Sequence, residues 1–104
     1  MEKSGYLNGK HYTDYVDEIK ELKREEKYEE AIKLLLKIIE VVENESKQEN
    51  IGVAPWYYEQ LSIVYHKQKR LDEEIKILER FTKQHHAPGS KPKKLIERLE
   101  KIKK

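Results

Sequence analysis

Apolar residues recur at helical spacing in five separate stretches of this chain, and that periodicity decides the fold class. Tyr12, Tyr15, Val16, Ile19 and Leu22 follow one another at steps of three, one, three and three. Tyr28, Ala31, Ile32, Leu35, Ile38, Ile39 and Val42 form a second stripe, which Leu34, Leu36 and Val41 widen. This wide arc predicts the most buried helix of the fold. A third stripe holds Trp56, Tyr57, Tyr58, Leu61, Ile63, Val64 and Tyr65, and a fourth holds Leu71, Ile75, Leu78 and Phe81. Leu95, Ile96, Leu99 and Ile102 make the last stretch amphipathic. The expected fold is all-α: two antiparallel helix hairpins stacked as a short right-handed solenoid or bundle, closed by a fifth, C-terminal helix.

The breaks between stripes set the boundaries. Residues 1–10 read as a flexible leader, with Gly5, Asn8 and Gly9 in a polar setting, and residues 11–104 as one helical domain. Hairpin 1 is expected over about 12–50, hairpin 2 over about 54–86 and the capping helix over about 91–103, from the spacing of the stripes. Thr13 or Asp14 suits the cap of the first helix. The turn at Lys23–Lys27 has neither Gly nor Pro. From Glu43 to Asn50 every residue is polar, so this segment frays or projects into solvent. Pro55 fits the first turn of the third helix. The fourth helix is expected from Asp72 to His85, ended by Ala87-Pro88-Gly89, and Ser90 caps the fifth, with Pro92 in its first turn.

Charged residues make up 40% of the chain and apolar ones 37%, the balance of helices that each bury a single stripe. With no cysteine there are no disulfides, thiol nucleophiles or cysteine-held metals. No apolar run approaches the ~18 residues of a membrane span, and residues 1–10 lack a signal-type apolar core. A cytoplasmic protein is the expectation. Four scattered histidines, four serines without a nucleophile elbow and no glycine-rich phosphate loop point to a chain that is not an enzyme and has no metal or other cofactor.

The second and fourth stripes are related. At an offset of 43, Tyr28–Leu35 lies over Leu71–Leu78, with Glu30, Ile32, Lys33 and Leu35 recurring as Glu73, Ile75, Lys76 and Leu78, and Tyr15 as Tyr58. Tyr58, Leu61, Ser62 and Tyr65 on one helix, and Tyr28 and Ala31 in Lys27-Tyr28-Glu29-Glu30-Ala31 on another, resemble the two halves of a tetratricopeptide repeat, a helix pair of about 34 residues. The resemblance covers about residues 12–88. It departs from the pattern at Glu18 and Ile19, where Leu and a small residue belong, and at Glu74, where Ala belongs.

This resemblance implies a protein- or peptide-binding adaptor. Its groove would be lined by the first helix of each pair: Thr13, Val16, Lys20, Lys23 and Arg24, then Trp56, Glu59, Ile63, His66 and Lys67. The lysines and Arg24 favour an acidic partner. Lys20 and Ile63 stand where family members that clamp chaperone C-termini carry Asn, so that function is not implied. Two repeats bury little core, which raises self-association as a homodimer as an alternative. The last fourteen residues carry seven basic side chains against Glu97 and Glu100, and the rest of the chain has 15 basic and 18 acidic. A nucleic-acid role through Lys91, Lys93, Lys94, Arg98 and Lys101 is the further alternative, against a helix that simply caps the last hairpin and shows lysines to water.

Overall fold

The structure, a computed structural model, describes residues 3–103. Five α-helices follow a short β-hairpin: α1 (Val16–Arg24), α2 (Tyr28–Glu49), α3 (Pro55–Lys67), α4 (Leu71–Thr82) and α5 (Ser90–Lys103). The molecule is nearly all-α, as the five stripes predict.

The leader forms structure. Strands β1 (Tyr6–Leu7) and β2 (Lys10–His11) pair antiparallel, Tyr6 opposite His11 and Leu7 opposite Lys10. Asn8 and Gly9 between them both have positive φ, 50° and 82°. That is the requirement of a type I′ turn, for which Asn-Gly is the preferred pair. The flexible segment expected over residues 1–10 is therefore corrected from Lys3 onward, and Met1 and Glu2 lie outside the described residues. The hairpin is tethered through Leu7, whose carbonyl accepts from the Tyr15 hydroxyl at 2.7 Å. A 3-10 turn, Tyr12–Tyr15, leads into α1. Its cap is His11, whose Nδ1 accepts from the Thr13 amide, and neither Thr13 nor Asp14 caps α1.

The helices pack in chain order, and α5 also reaches back onto α3. Seven of the thirteen residues of α3 are buried, against seven of twenty-two in α2, so α3 is the central element. The wide arc of α2 is partly spent on half-buried Leu34, Leu36 and Val41. The core joins Ile19, Leu35, Ile38, Ile39, Tyr58, Leu61, Leu78 and Phe81, each at most 1% exposed. Leu71, expected to point inward, is 52% exposed at the start of α4, and Ile77 is buried instead. That helix ends at Thr82 rather than His85.

Turn chemistry repeats with the sequence offset. Glu26, in the left-handed region, donates to the Lys23 carbonyl, and Lys27 donates to the Leu22 carbonyl. Lys69 does the same toward His66, and Arg70 toward Tyr65. Each pair of bonds is a Schellman closure, and the four positions of one turn map onto the four of the other at an offset of 43 residues. The two turns are thus copies at the level of the backbone.

The polar run after Val42 stays helical to Glu49 and is held inward. The Glu43 carboxylate accepts from the Tyr58 hydroxyl at 2.7 Å and from both Arg80 Nε and Nη2, at 2.8 and 2.9 Å. Glu45 accepts from the Tyr12 hydroxyl at 2.9 Å. Asn50, left-handed at φ 54°, ends the helix, and the Ser46 hydroxyl donates to the Ile51 carbonyl. These bonds, rather than fraying, decide the fate of residues 43–50. Beyond them Val53 donates to the His85 carbonyl at 2.8 Å, and Gly52 lies so close to the Ala87 backbone that a Cβ would overlap it.

Candidate functional site

The helical register of α1 and α3 brings part of the expected groove together. Lys23, on the last turn of α1, is half-buried and donates to the side-chain oxygen of Gln60 on α3. Burial lowers its pKa, the charge of Lys67 lowers it further, and Glu59 acts the other way. Lys23, Glu59, Gln60 and Lys67 therefore share one surface. Lys91 from α5 joins them, its ammonium 2.8 Å from Glu59.

The other expected residues spread out around this point. Thr13, Lys20 and Arg24 are exposed, and Arg24 is paired with Glu21 on its own helix. Val16 and Ile63 are half-buried. Trp56 is half-buried too, edge-on to Tyr57 with ring centroids 5.0 Å apart. Tyr57 in turn sits edge-on to Tyr12 at 5.4 Å, and its hydroxyl donates to the Tyr12 carbonyl at 3.1 Å. Desolvation by burial pushes the Tyr57 phenol up to about 12. Half-buried Trp56 thus packs on a tyrosine that is itself braced against Tyr12.

His66 belongs to a different neighbourhood. Its Nδ1 is 3.1 Å from Glu74 Oε1, and Arg98 approaches Glu74 Oε2 at 3.1 Å. The Glu74 side chain is 1% exposed. A buried carboxylate is held only where its charge is paired and its oxygens are hydrogen-bonded, and here both oxygens are. This residue was legible only as a departure from the repeat pattern. The missed signal is a charge one turn inside an apolar stripe, which demands a cationic partner from elsewhere in the chain. Gln60 and Glu43 gave no comparable signal.

A recess of about 460 Å³ opens over this pair, lined by His66, Glu74, Lys94, Glu97, Arg98 and Lys101. The basic residues of α5 are consequently divided. Lys91, Arg98 and Lys103 bond Glu59, Glu74 and Glu79. Lys94 and Lys101 face the recess, and Lys93 lines a separate hollow beside His86 and Pro92. Among the described residues, no three His, Cys, Asp or Glu side chains converge as metal ligands. Of the remaining histidines, His11 bonds Thr13 and lies 3.7 Å from the Glu45 carboxylate of α2, and His86 bonds the Phe81 carbonyl. No helix among the described residues is long and apolar enough to cross a membrane.

Compared with known proteins, the chain matches no family model, no curated protein and no solved structure.

Proposed function

We propose that this chain is a cytoplasmic, non-enzymatic adaptor of tetratricopeptide type, two helical hairpins with a capping helix, that binds an acidic protein segment across the surface where α1 meets α3. The observation that carries this is the meeting of Lys23 and Lys67 on one surface, which Glu59, itself bonded to Lys91, offsets only in part. Burial first, and then the charge of Lys67, disfavours the Lys23 ammonium, which raises the energy of the empty surface. A carboxylate laid between them removes that cost, so the surface favours an acidic occupant over a neutral one. The half-buried ring of Trp56 on the same helix supplies a rigid aromatic anchor.

The repeat assignment draws support from matched burial. Tyr58, Leu61, Ser62 and Tyr65 are all buried, as is Ala31, and the Glu26 and Lys69 turns coincide at the 43-residue offset. The alternatives draw less. Ile51 and Leu71 are the large apolar residues left exposed among the described ones, a meagre surface for a homodimer. Three of the basic groups of α5 are bonded within the chain, which breaks up a continuous nucleic-acid face.

Trp56, the single tryptophan, reports directly on this surface. Its emission should change saturably on titration with a glutamate-rich peptide, more weakly as salt is raised, and not with a lysine-rich one. Lys23→Glu with Lys67→Glu should weaken that binding by about tenfold or more, roughly 1.4 kcal/mol. Equal binding by the double variant would refute the acidic-partner function.

A further inference from the structure

The recess between α3, α4 and α5 has a charge organisation that the peptide-binding surface does not use. Glu74 at its floor is saturated, with Arg98 on one oxygen and His66 on the other. An ionised carboxylate only accepts hydrogen bonds, so His66 presents N–H at Nδ1. That fixes the ring and leaves Nε2 as the group available to a ligand, on a side chain that is 67% exposed. Lys94, Arg98 and Lys101 recur at helical spacing of four and three along one face of α5. Arg98 is consumed by Glu74, whereas Lys94 and Lys101 form no ion pair among the described residues.

We propose that this recess binds a phosphomonoester, with Lys94, Lys101 and His66 as its ligands. Charge makes the selection. Once Arg98 neutralises Glu74, Lys94 and Lys101 stand against Glu97 alone, a net positive charge that attracts a phosphate anion. Lys67 and Lys69 line a second hollow that shares His66 and Glu74 with the first, adding attraction at longer range. Ammonium groups on flexible stems act as point charges, which suits a tetrahedral phosphate, while the one guanidinium fork present is already occupied by a carboxylate. His66 Nε2 donates to a phosphate oxygen when the ring is charged. The volume of about 460 Å³ admits a phosphorylated side chain as well as a small phosphorylated molecule.

The test follows the imidazole proton resonances of the four histidines in the full chain at fixed pH and ionic strength. Inorganic phosphate, a phosphoserine peptide and its unmodified form are the three titrants. The expected result is a saturable shift of His66 with both phosphates, with none at His11, His85 or His86 and none with the unmodified peptide. Tighter binding of the phosphoserine peptide identifies a modified partner chain as the source; equal binding identifies a free phosphorylated molecule. Lys94→Gln with Lys101→Gln, both on exposed positions, should weaken the His66 response about tenfold or more with the far-ultraviolet spectrum unchanged. A His66 shift that never saturates, or that survives this double variant, overturns the site. The same variant should leave the Trp56 titration with glutamate-rich peptide intact, so the two proposals stand or fall separately.

Discussion

At the scale of single residues, the decisive side chains are carboxylates that a hydropathy pattern assigns to solvent. Glu43 gathers Tyr58 from α3 and Arg80 from α4 onto a residue of α2. Burial first, then the bond to Glu43, raises the Tyr58 phenol pKa, and the same carboxylate raises that of Arg80. Glu43→Ala leaves the fully buried Tyr58 hydroxyl without its acceptor. Urea denaturation should show a loss of about 2–3 kcal/mol. A cycle with Tyr58→Phe should show strong coupling, because both substitutions remove the Tyr58–Glu43 bond. The left-handed turn residues carry the opposite expectation. Glu26 and Lys69 hold φ 58° with a Cβ, which glycine would hold without the steric cost. Glu26→Gly and Lys69→Gly should each stabilise by about 1 kcal/mol, and additively, since the turns are separate. Denaturation midpoints of the two single variants and the double check this.

At the scale of elements, α5 is fastened rather than merely laid down. Leu95 and Leu99 are buried against the core, and Lys91, Arg98 and Lys103 reach three carboxylates on α3 and α4. These bonds differ in worth. Lys103–Glu79 is exposed and contributes little, whereas Arg98 neutralises a carboxylate that is 1% exposed. Arg98→Ala should destabilise the protein by about 2 kcal/mol or more, and Lys103→Ala by under about 0.5 kcal/mol, in the same denaturation assay. The positions of the helices were legible in the sequence because each buries a stripe with the α period. Their ends were less so. Leu71 fits the stripe of α4 by spacing, yet it occupies the first helical position, where no neighbouring turn covers it. Asn8-Gly9 carried a strong hairpin signal, which the surrounding polarity hid.

At the scale of the whole molecule, buried tyrosines tie stability to alkaline pH. Tyr12, Tyr57, Tyr58 and Tyr65 all have phenol pKa values raised chiefly by burial, that of Tyr57 to about 12 from an ordinary 10.0. The unfolded chain releases these protons first. Their contribution is therefore intact below pH 10.0 and lost as pH rises through the folded values, about 12 for Tyr57. Lys23, lowered in the fold, works in the opposite sense but is one group against four. A single cooperative alkaline transition is expected, with tyrosinate absorbance and helical dichroism changing together. Tyrosinate appearing well before helix loss would contradict it.

The sequence by itself determined the number and kind of helices, since amphipathic period is a local property that each segment carries alone. It also determined the 43-residue relation, which the two Schellman turns repeat in backbone hydrogen bonds. Lys23, Glu59 and Lys67, which the sequence expects on one face, do meet. Only the tertiary structure decided that His66 turns away from them toward Glu74, that α3 rather than α2 is central, and that the basic tail is divided between internal bonds and the recess. The reason is physical. A charge is worth what its surroundings make it, and the partners of Glu43 and Glu74 lie up to 37 residues away along the chain. No local pattern records that distance being closed.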